Sequence, residues 1–206
     1  MTQVSAPEGV VVWLLELDTT APLGYLSPDE QARAARFRFE RDRRRYHVCR
    51  SALRVVLGER LQVPPEALEF TYGPQGKPEC TGATFNVSHS NGLALIALGA
   101  DGVDIEEIRH DIEPQSLGRS VFTPAELSHI HSVEDFFLAW TAKEALIKAE
   151  GSGFSSPLLK RTVWPALEPA LAERFTLVRL DVPPGFAAAL ALQKTKKAAR
   201  QLSGGS

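Results

Sequence analysis

The sequence predicts an α+β fold made of two structurally similar halves, a pseudo-dimer within one chain. Each half is expected to be helices packed on a small, mainly antiparallel sheet. Three observations lead there. Helical and strand-like segments come in groups rather than alternating one by one, which favours segregated layers and antiparallel sheets over a parallel doubly wound fold. A helix-start pattern, Leu26-Ser27-Pro28-Asp29-Glu30, returns as Phe122-Thr123-Pro124-Ala125-Glu126. Each copy is followed by a longer helical run and then by strand-like segments at similar offsets.

Taken in order, Val10 to Leu17 is apolar except at Glu16 and reads as an opening strand. Ser27 is then an N-cap, Pro28 sits at the first helical position and Glu30 completes a capping box. Tyr46, Cys49, Leu53, Val56, Leu57 and Leu61 recur at helical spacing, and Pro64-Pro65 ends that run. Leu68 to Tyr72 and Gly92 to Leu98 read as strands, and Gly102 to Glu106 as the strand that opens the second half. A helix follows from about Glu134 to Ala149. Strands at Arg174 to Leu180 and Gly185 to Leu192 are paired by position with Leu68 to Tyr72 and Gly92 to Leu98. The expected division is an N-terminal half of residues 1–101 and a C-terminal half of residues 102–193 that carries the candidate metal ligands. Residues 194–206, ending Leu202-Ser203-Gly204-Gly205-Ser206, read as a disordered or weakly helical tail.

Bulk composition narrows the function classes. The chain has 206 residues, 44% hydrophobic and 23% charged, as in an ordinary globular protein. Neither a signal peptide nor an apolar run long enough to span a bilayer is legible. Cys49 and Cys80 form no metal-type or redox-type pair, so a cytoplasmic setting with reduced thiols is expected. The net charge is −2, yet Arg33, Arg36, Arg38, Arg41, Arg43, Arg44, Arg45, Arg50 and Arg54 fall in one short segment, opposed by Glu40 and Asp42. Such a local basic run suits an anionic partner. Nucleic acid is disfavoured, because no aromatic-studded basic sheet accompanies the arginines.

The chemistry concentrates in two stretches. In the helix near Trp140, apolar residues lie almost all the way round: Phe136, Phe137, Leu138, Ala139, Trp140, Ala142, Ala145, Leu146 and Ile147. A helix of that kind is normally buried. It nevertheless carries Lys143, Glu144 and Lys148, and buried charges must be paired or bound to metal or ligand. On the strand Gly102 to Glu106, Asp104 and Glu106 project from one face and Val103 and Ile105 from the other. Three carboxylates are hard ligands for Mg²⁺, and two nearby lysines suit a phosphate-bearing substrate. Taken one at a time, bland alternatives remain: a solvated sheet face for Asp104 and Glu106, an intrahelical ion pair for Glu144 and Lys148, and an exposed turn lysine for Lys77.

Four motifs occur in sequence: Gly76-Lys77-Pro78, Phe85-Asn86-Val87-Ser88-His89-Ser90, Gly102-Val103-Asp104-Ile105-Glu106 and Trp140-Thr141-Ala142-Lys143-Glu144-Ala145-Leu146-Ile147-Lys148. In this order the chain resembles the phosphopantetheinyl transferase superfamily, in its larger pseudo-dimeric form that activates carrier domains of peptide, polyketide and fatty-acid synthesis. The resemblance runs from about Ser27 to Pro157, and the repeat extends it to nearly the whole chain. It implies transfer of the 4'-phosphopantetheine arm of coenzyme A to a serine of an apo carrier protein, with release of 3',5'-ADP and dependence on Mg²⁺, or Mn²⁺ in its place.

The resemblance further implies that Asp104, Glu106 and Glu144 hold the metal, with Glu144 also a candidate base. Lys143 and Lys148 match phosphate-contacting lysines, and Lys148 is the candidate for steadying charge on the transferred phosphate. Ser88 and His89 match coenzyme A contacts, Lys77 a residue near the nucleotide end, and Arg33 and Arg45 basic positions near the 3'-phosphate. Glu30 stands where the family often has a base. Glu126 matches a recurrent acid but reads mainly as a capping-box residue. An acidic carrier would meet the remaining arginines together with Leu117 and Val121. No membrane or nucleic-acid partner is implied, and the internal repeat implies a monomer. Two other readings stay open on the residues: an inactive coenzyme A- or carrier-binding protein, and a metal-dependent phosphoesterase.

Overall fold

Strand pairing sets the architecture. In the computed structural model, residues 1–20, 25–73, 75–151, 153 and 156–194 are described. Strands β1 (Thr2–Val4), β2 (Val11–Glu16), β5 (Phe85–Ser90) and β6 (Leu93–Leu98) form an antiparallel sheet in the order β1-β2-β6-β5. Strands β7 (Gly102–Glu107), β8 (Phe175–Arg179) and β9 (Phe186–Gln193) form a second, ordered β7-β9-β8 and also antiparallel. Strands β3 (Thr71–Tyr72) and β4 (Pro78–Glu79) make a small separate hairpin.

The two sheets repeat one connectivity. In each half the opening strand pairs with the last strand, and the last pairs with the one before it. The α+β class and the two similar halves are therefore as the sequence predicts. One correspondence is not. The counterpart of β8 is β5, because both form the outer strand of the terminal hairpin. Leu68 to Tyr72 does not take that place. Leu68 is buried in the core, and only Thr71 and Tyr72 pair, with the β4 residues. The tail from residue 195 lies outside the described residues.

Two long helices cover the sheets. Helix α1 (Pro28–Ala35) starts with the expected Ser27–Glu30 capping box, and α2 (Glu40–Leu61) follows it. Val48, Leu53, Val56 and Leu57 of α2 pack on Leu15, Leu17, Phe85 and Ile96 of the first sheet. The opposite face of that sheet, with Val12, Leu95 and Ala97, packs on Val103, Ile105, Ala188 and Leu190 of the second. The outer face of the second sheet, with Phe175, Ala189 and Ala191, is covered by Ala142, Ala145 and Leu146 of helix α5 (Val133–Glu150). Short helices α3 (Pro114–Gly118) and α4 (Pro124–Leu127) lead into α5, and α6 (Pro169–Ala172) precedes β8.

Helix α5 begins at a Ser132–Asp135 capping box and ends at Gly151, whose φ of 78° is the left-handed cap that favours glycine. It lies close on β7. A Cβ at Gly102 would stand 2.0 Å from the Ala145 carbonyl oxygen, so only glycine allows the helix to rest there. That close approach brings Glu144 and Lys148 of α5 next to Asp104. Among the described residues no helix is long and apolar enough to cross a membrane.

Candidate active site

The site grows out of the line where the two sheets meet. Strands β5 and β7 belong to different sheets, and side chains bridge them. Asn86 Oδ1 accepts from the Val103 N–H at 2.9 Å, Ser88 Oγ from the Ile105 N–H at 3.4 Å, and Ser90 Oγ from the Glu107 N–H at 3.0 Å. Residues two apart on a strand share a direction, so this polar row follows directly from the spacing of Asn86, Ser88 and Ser90. The same hydroxyls reach the carboxylates of β7. Ser88 donates to Asp104 Oδ1 and Ser90 to Glu106 Oε2, both at 2.8 Å.

Helix α5 adds Lys148 and Glu144. The Lys148 ammonium donates to Asp104 Oδ1 at 2.6 Å, Ser88 Oγ at 2.9 Å and the Val103 carbonyl at 3.2 Å. Its carboxylate partner is thus Asp104 on β7 rather than Glu144 one turn back on the same helix. Glu144 is 8% exposed, and burial followed by the charge of Asp104 pushes its carboxyl up to about 7, against the opposing pull of Lys148. Burial and Asp104 also raise Glu106. Glu106 and Glu144, both buried beside Asp104, therefore resist becoming anions there.

Two buried carboxylate oxygens, Asp104 Oδ2 and Glu144 Oε1, have no hydrogen-bond partner. An orphaned anionic oxygen in the interior is costly, and a cation is the usual remedy. Among the described residues, no three His, Cys, Asp or Glu side chains converge as a ready-made metal cage. The donor chemistry nonetheless fits a divalent cation: hard oxygens, two of them open, in a cluster with an excess of carboxylate over ammonium.

Two adjoining cavities lie here, and the second reaches Glu144 and Lys148 of the cluster. The first, about 420 Å³, is walled by Arg33, Arg45, Arg50, Tyr46 and His89. The second, about 380 Å³, is walled by Lys77, Asn86, Glu144 and Lys148. They share Gly76, Pro78 and Val87, so the Gly76-Lys77-Pro78 turn stands between them. Lys77 donates to the Asp101 carbonyl at 2.9 Å, and burial pushes its ammonium below the usual range. His89 faces the first cavity, and loss of solvent around its ring, then the Lys148 charge, holds its imidazole below the ordinary value. Arg33 lies over the Tyr46 ring, 5.8 Å from its centroid. Arg45 is held by Asp18 through bonds of 2.8 and 2.6 Å and by Asn91 at 3.1 Å.

Lys143 is placed differently from its expected contact with a phosphate. Its side chain is wholly buried and its ammonium donates to Glu126 Oε2 at 2.6 Å, the Val121 carbonyl at 3.1 Å and the Leu159 carbonyl at 3.2 Å. An ammonium has three donors, and all three are used. Successive helix positions diverge by about 100°, so Lys143 and Glu144 cannot serve the same side. Glu126 keeps its capping-box role, accepting from Thr123 N–H, and adds the Lys143 pair and the Val163 N–H. Glu30 likewise completes its box and is buried between Arg50 and Arg54. Sequence reasoning passed over three residues: Arg50 and Tyr46 on the first cavity, and Ser90 beside Glu106. The period-two row of polar residues on β5 was the signal for Ser90. Cys49 and Cys80 are free thiols, and burial pushes Cys49 up to about 11.

Two outcomes follow. Replacing Lys143 by Met strands Glu126 in the interior and should lower stability by about 3–5 kcal/mol in urea denaturation. The double change with Glu126→Gln should recover much of that loss. For Glu144, the folded carboxyl titrates near 7 against an ordinary 4.5. Folding therefore favours its protonated form, and this stability is fully present below pH 4.5 and lost as pH rises through 7. In chelator-treated protein, Glu144→Gln should be more stable than the parent at pH 8, by at most roughly 3 kcal/mol. The two should converge near pH 4.5 when their unfolding curves are compared.

Comparison with known proteins identifies the family. Residues 16–100 match the family model for the N-terminal part of 4'-phosphopantetheinyl transferase, and residues 101–179 match that of the 4'-phosphopantetheinyl transferase superfamily. The chain is 37% identical over 164 residues to a putative 4'-phosphopantetheinyl transferase of a Synechocystis species, covering 71% of this chain and 67% of that protein. It is 40% identical over 145 residues to the 4'-phosphopantetheinyl transferase HetI of a Nostoc species, covering 63% and 61%. To the 4'-phosphopantetheinyl transferase Sfp of Bacillus subtilis it is 28% identical over 149 residues, covering 66% and 65%. The chain thus spans about two thirds of the length of these relatives. Its two matched parts together run through both halves of the fold, and the chain belongs to the 4'-phosphopantetheinyl transferase superfamily.

Proposed function

We propose that this protein transfers the 4'-phosphopantetheine arm of coenzyme A to a serine of an apo acyl or peptidyl carrier protein, releasing 3',5'-ADP, with Mg²⁺ or Mn²⁺ as cofactor. The observation that carries the reading is the cluster of Asp104, Glu106 and Glu144 beside Lys148, with Glu144 and Lys148 at the wall of a cavity. The names of the relatives support the transfer chemistry. The residues supply what a diphosphate and a hydroxyl nucleophile require.

Asp104, Glu106 and Glu144 would hold the cation. Bound there, it would neutralise diphosphate charge and polarise the phosphoryl oxygens. The carrier serine oxygen forms a bond to the phosphorus bearing the pantetheine arm, and the bond from that phosphorus to 3',5'-ADP breaks with its electron pair leaving on the nucleotide. The serine proton passes to Glu144, directly or through water, since this carboxylate stands at the cavity wall beside Lys148. Lys148, 28% exposed at its side chain, offers a positive charge toward the transferred phosphate. Lys77, His89, Arg33 and Arg45, which line the two cavities, would hold the nucleotide and its phosphates with Ser88 buried beside them, and the exposed arginines of α2 would face an acidic carrier. We place the working boundary between the halves at residues 101 and 102, with the cation held by the second half, and take the protein to act as a cytoplasmic monomer.

The test is the intact mass of several purified apo carrier domains after incubation with the protein, coenzyme A and Mg²⁺. A gain of one phosphopantetheine, abolished by EDTA, is expected. Glu144→Ala and Asp104→Ala should each cut the rate by roughly 10²-fold or more. Coenzyme A that binds but is never consumed would point to an inactive binder. Coenzyme A cleaved with no carrier modified would point to a phosphoesterase.

A further inference from the structure

Ser90 closes the row of side chains between β5 and β7, and its hydrogen bonds have one possible direction. The Glu107 backbone N–H lies 3.0 Å from Ser90 Oγ, and an N–H can only donate. The serine oxygen is therefore an acceptor there, and its single proton is left for Glu106 Oε2 at 2.8 Å. The same logic holds two residues earlier. Ser88 Oγ accepts from the Ile105 N–H and from Lys148, both donors only, so its proton goes to Asp104 Oδ1. Two hydroxyls spaced two apart on β5 thus hold two carboxylates spaced two apart on β7.

The row is anchored beyond Ser90 as well. Asn91 Nδ2 donates to Glu107 Oε1 at 2.7 Å, and Asn91 Oδ1 accepts from Arg45 at 3.1 Å. Arg45 is in turn clamped by Asp18. The backbone next to Ser90 therefore has little freedom to drift, and the hydroxyl stays where Glu106 needs it. A glutamate left to itself must give up rotamer freedom when it takes up one position. The Ser90 bond meets that cost before any cation arrives.

We propose that Ser90 is a positioning residue for divalent-cation binding: it fixes the Glu106 carboxylate through Oε2 and leaves Oε1 for the cation. The inference rests on the reading above, that Asp104, Glu106 and Glu144 hold the metal. Hydrogen-bond partners of metal-ligating carboxylates typically govern affinity by 10–100-fold. Ser90 makes that contact here through its side chain, and it comes from the half of the chain opposite the carboxylates.

The experiment is a Mn²⁺ titration followed by electron paramagnetic resonance, with excess coenzyme A and no carrier protein. It compares the full chain with its Ser90→Ala, Ser90→Cys and Ser90→Thr variants. Thermal unfolding of each variant without metal is measured alongside. Ser90→Ala and Ser90→Cys should weaken Mn²⁺ binding about tenfold or more. Ser90→Cys conserves size and should fold even if Ser90→Ala does not. Ser90→Thr keeps the hydroxyl and should bind close to the parent. Unchanged Mn²⁺ affinity in the cysteine variant overturns the proposal, as does a drop in melting temperature unaccompanied by any loss of affinity. A parent protein that binds no Mn²⁺ beyond that held by coenzyme A alone also overturns it. If the parent binds Mn²⁺ and the Ser90 variants weaken it, while no carrier gains mass, Ser90 keeps its role and the transferase reading fails.

Discussion

Three side chains, Asn86, Ser88 and Ser90, stand between β5 and β7 where a continuous sheet would have backbone partners, and the rest of the site depends on that substitution. A backbone ladder would satisfy the N–H groups of Val103, Ile105 and Glu107 and do nothing more. Hydroxyl and amide side chains satisfy the same groups and retain further bonding capacity. At Ser88 and Ser90 that capacity is spent on Asp104 and Glu106. The seam between the halves is therefore both a structural joint and the cradle of the carboxylates. The place where two similar units meet is a common location for a binding site, and here the bonding pattern gives the reason.

Helix α5 completes the cradle at an energetic cost. It buries Lys143 and Glu144 side by side in sequence but sends them to different surroundings. Lys143 is fully satisfied by Glu126 and two carbonyls, which ties α5 to α4 and to the segment before α6. Glu144 is left with an unpartnered oxygen beside two other acids. One charge holds the helix in place, and the other remains under electrostatic stress. Stress of this kind persists in folded proteins mainly where binding a ligand relieves it. Gly102 is part of the same arrangement, since any side chain there would lift α5 from β7 and separate Glu144 and Lys148 from Asp104.

Much of this was legible in the residues. The capping boxes at Ser27 and Thr123, the buried and largely apolar helix and the split of β7 into an acidic face and an apolar face follow from local patterns, and the structure shows each of them. The α+β class and the repeat followed from the order of the segments. Leu68 to Tyr72 went astray because apolar character marks burial as readily as a strand, and Leu68 serves the core without pairing. Phe85 to Ser90 drew notice as a motif, but its place as an edge strand, and the meaning of Ser90 within it, depend on which strand lies alongside. Lys143 misled for a related reason. Its neighbour Glu144 belongs to the acidic cluster, whereas its own partner, Glu126, lies 17 residues earlier and is brought near only by the packing of α4 on α5. Local periodicity carries no information about such pairings.

The account stands or falls on whether the seam is where a cation and a diphosphate are held together. Crystals grown with Mn²⁺ and coenzyme A, measured for anomalous scattering from manganese, test this directly. The account predicts a manganese peak within bonding distance of Asp104 and Glu144, with the diphosphate beside Lys148. A peak confined to other residues, or full density for coenzyme A with no manganese at these carboxylates, would contradict it.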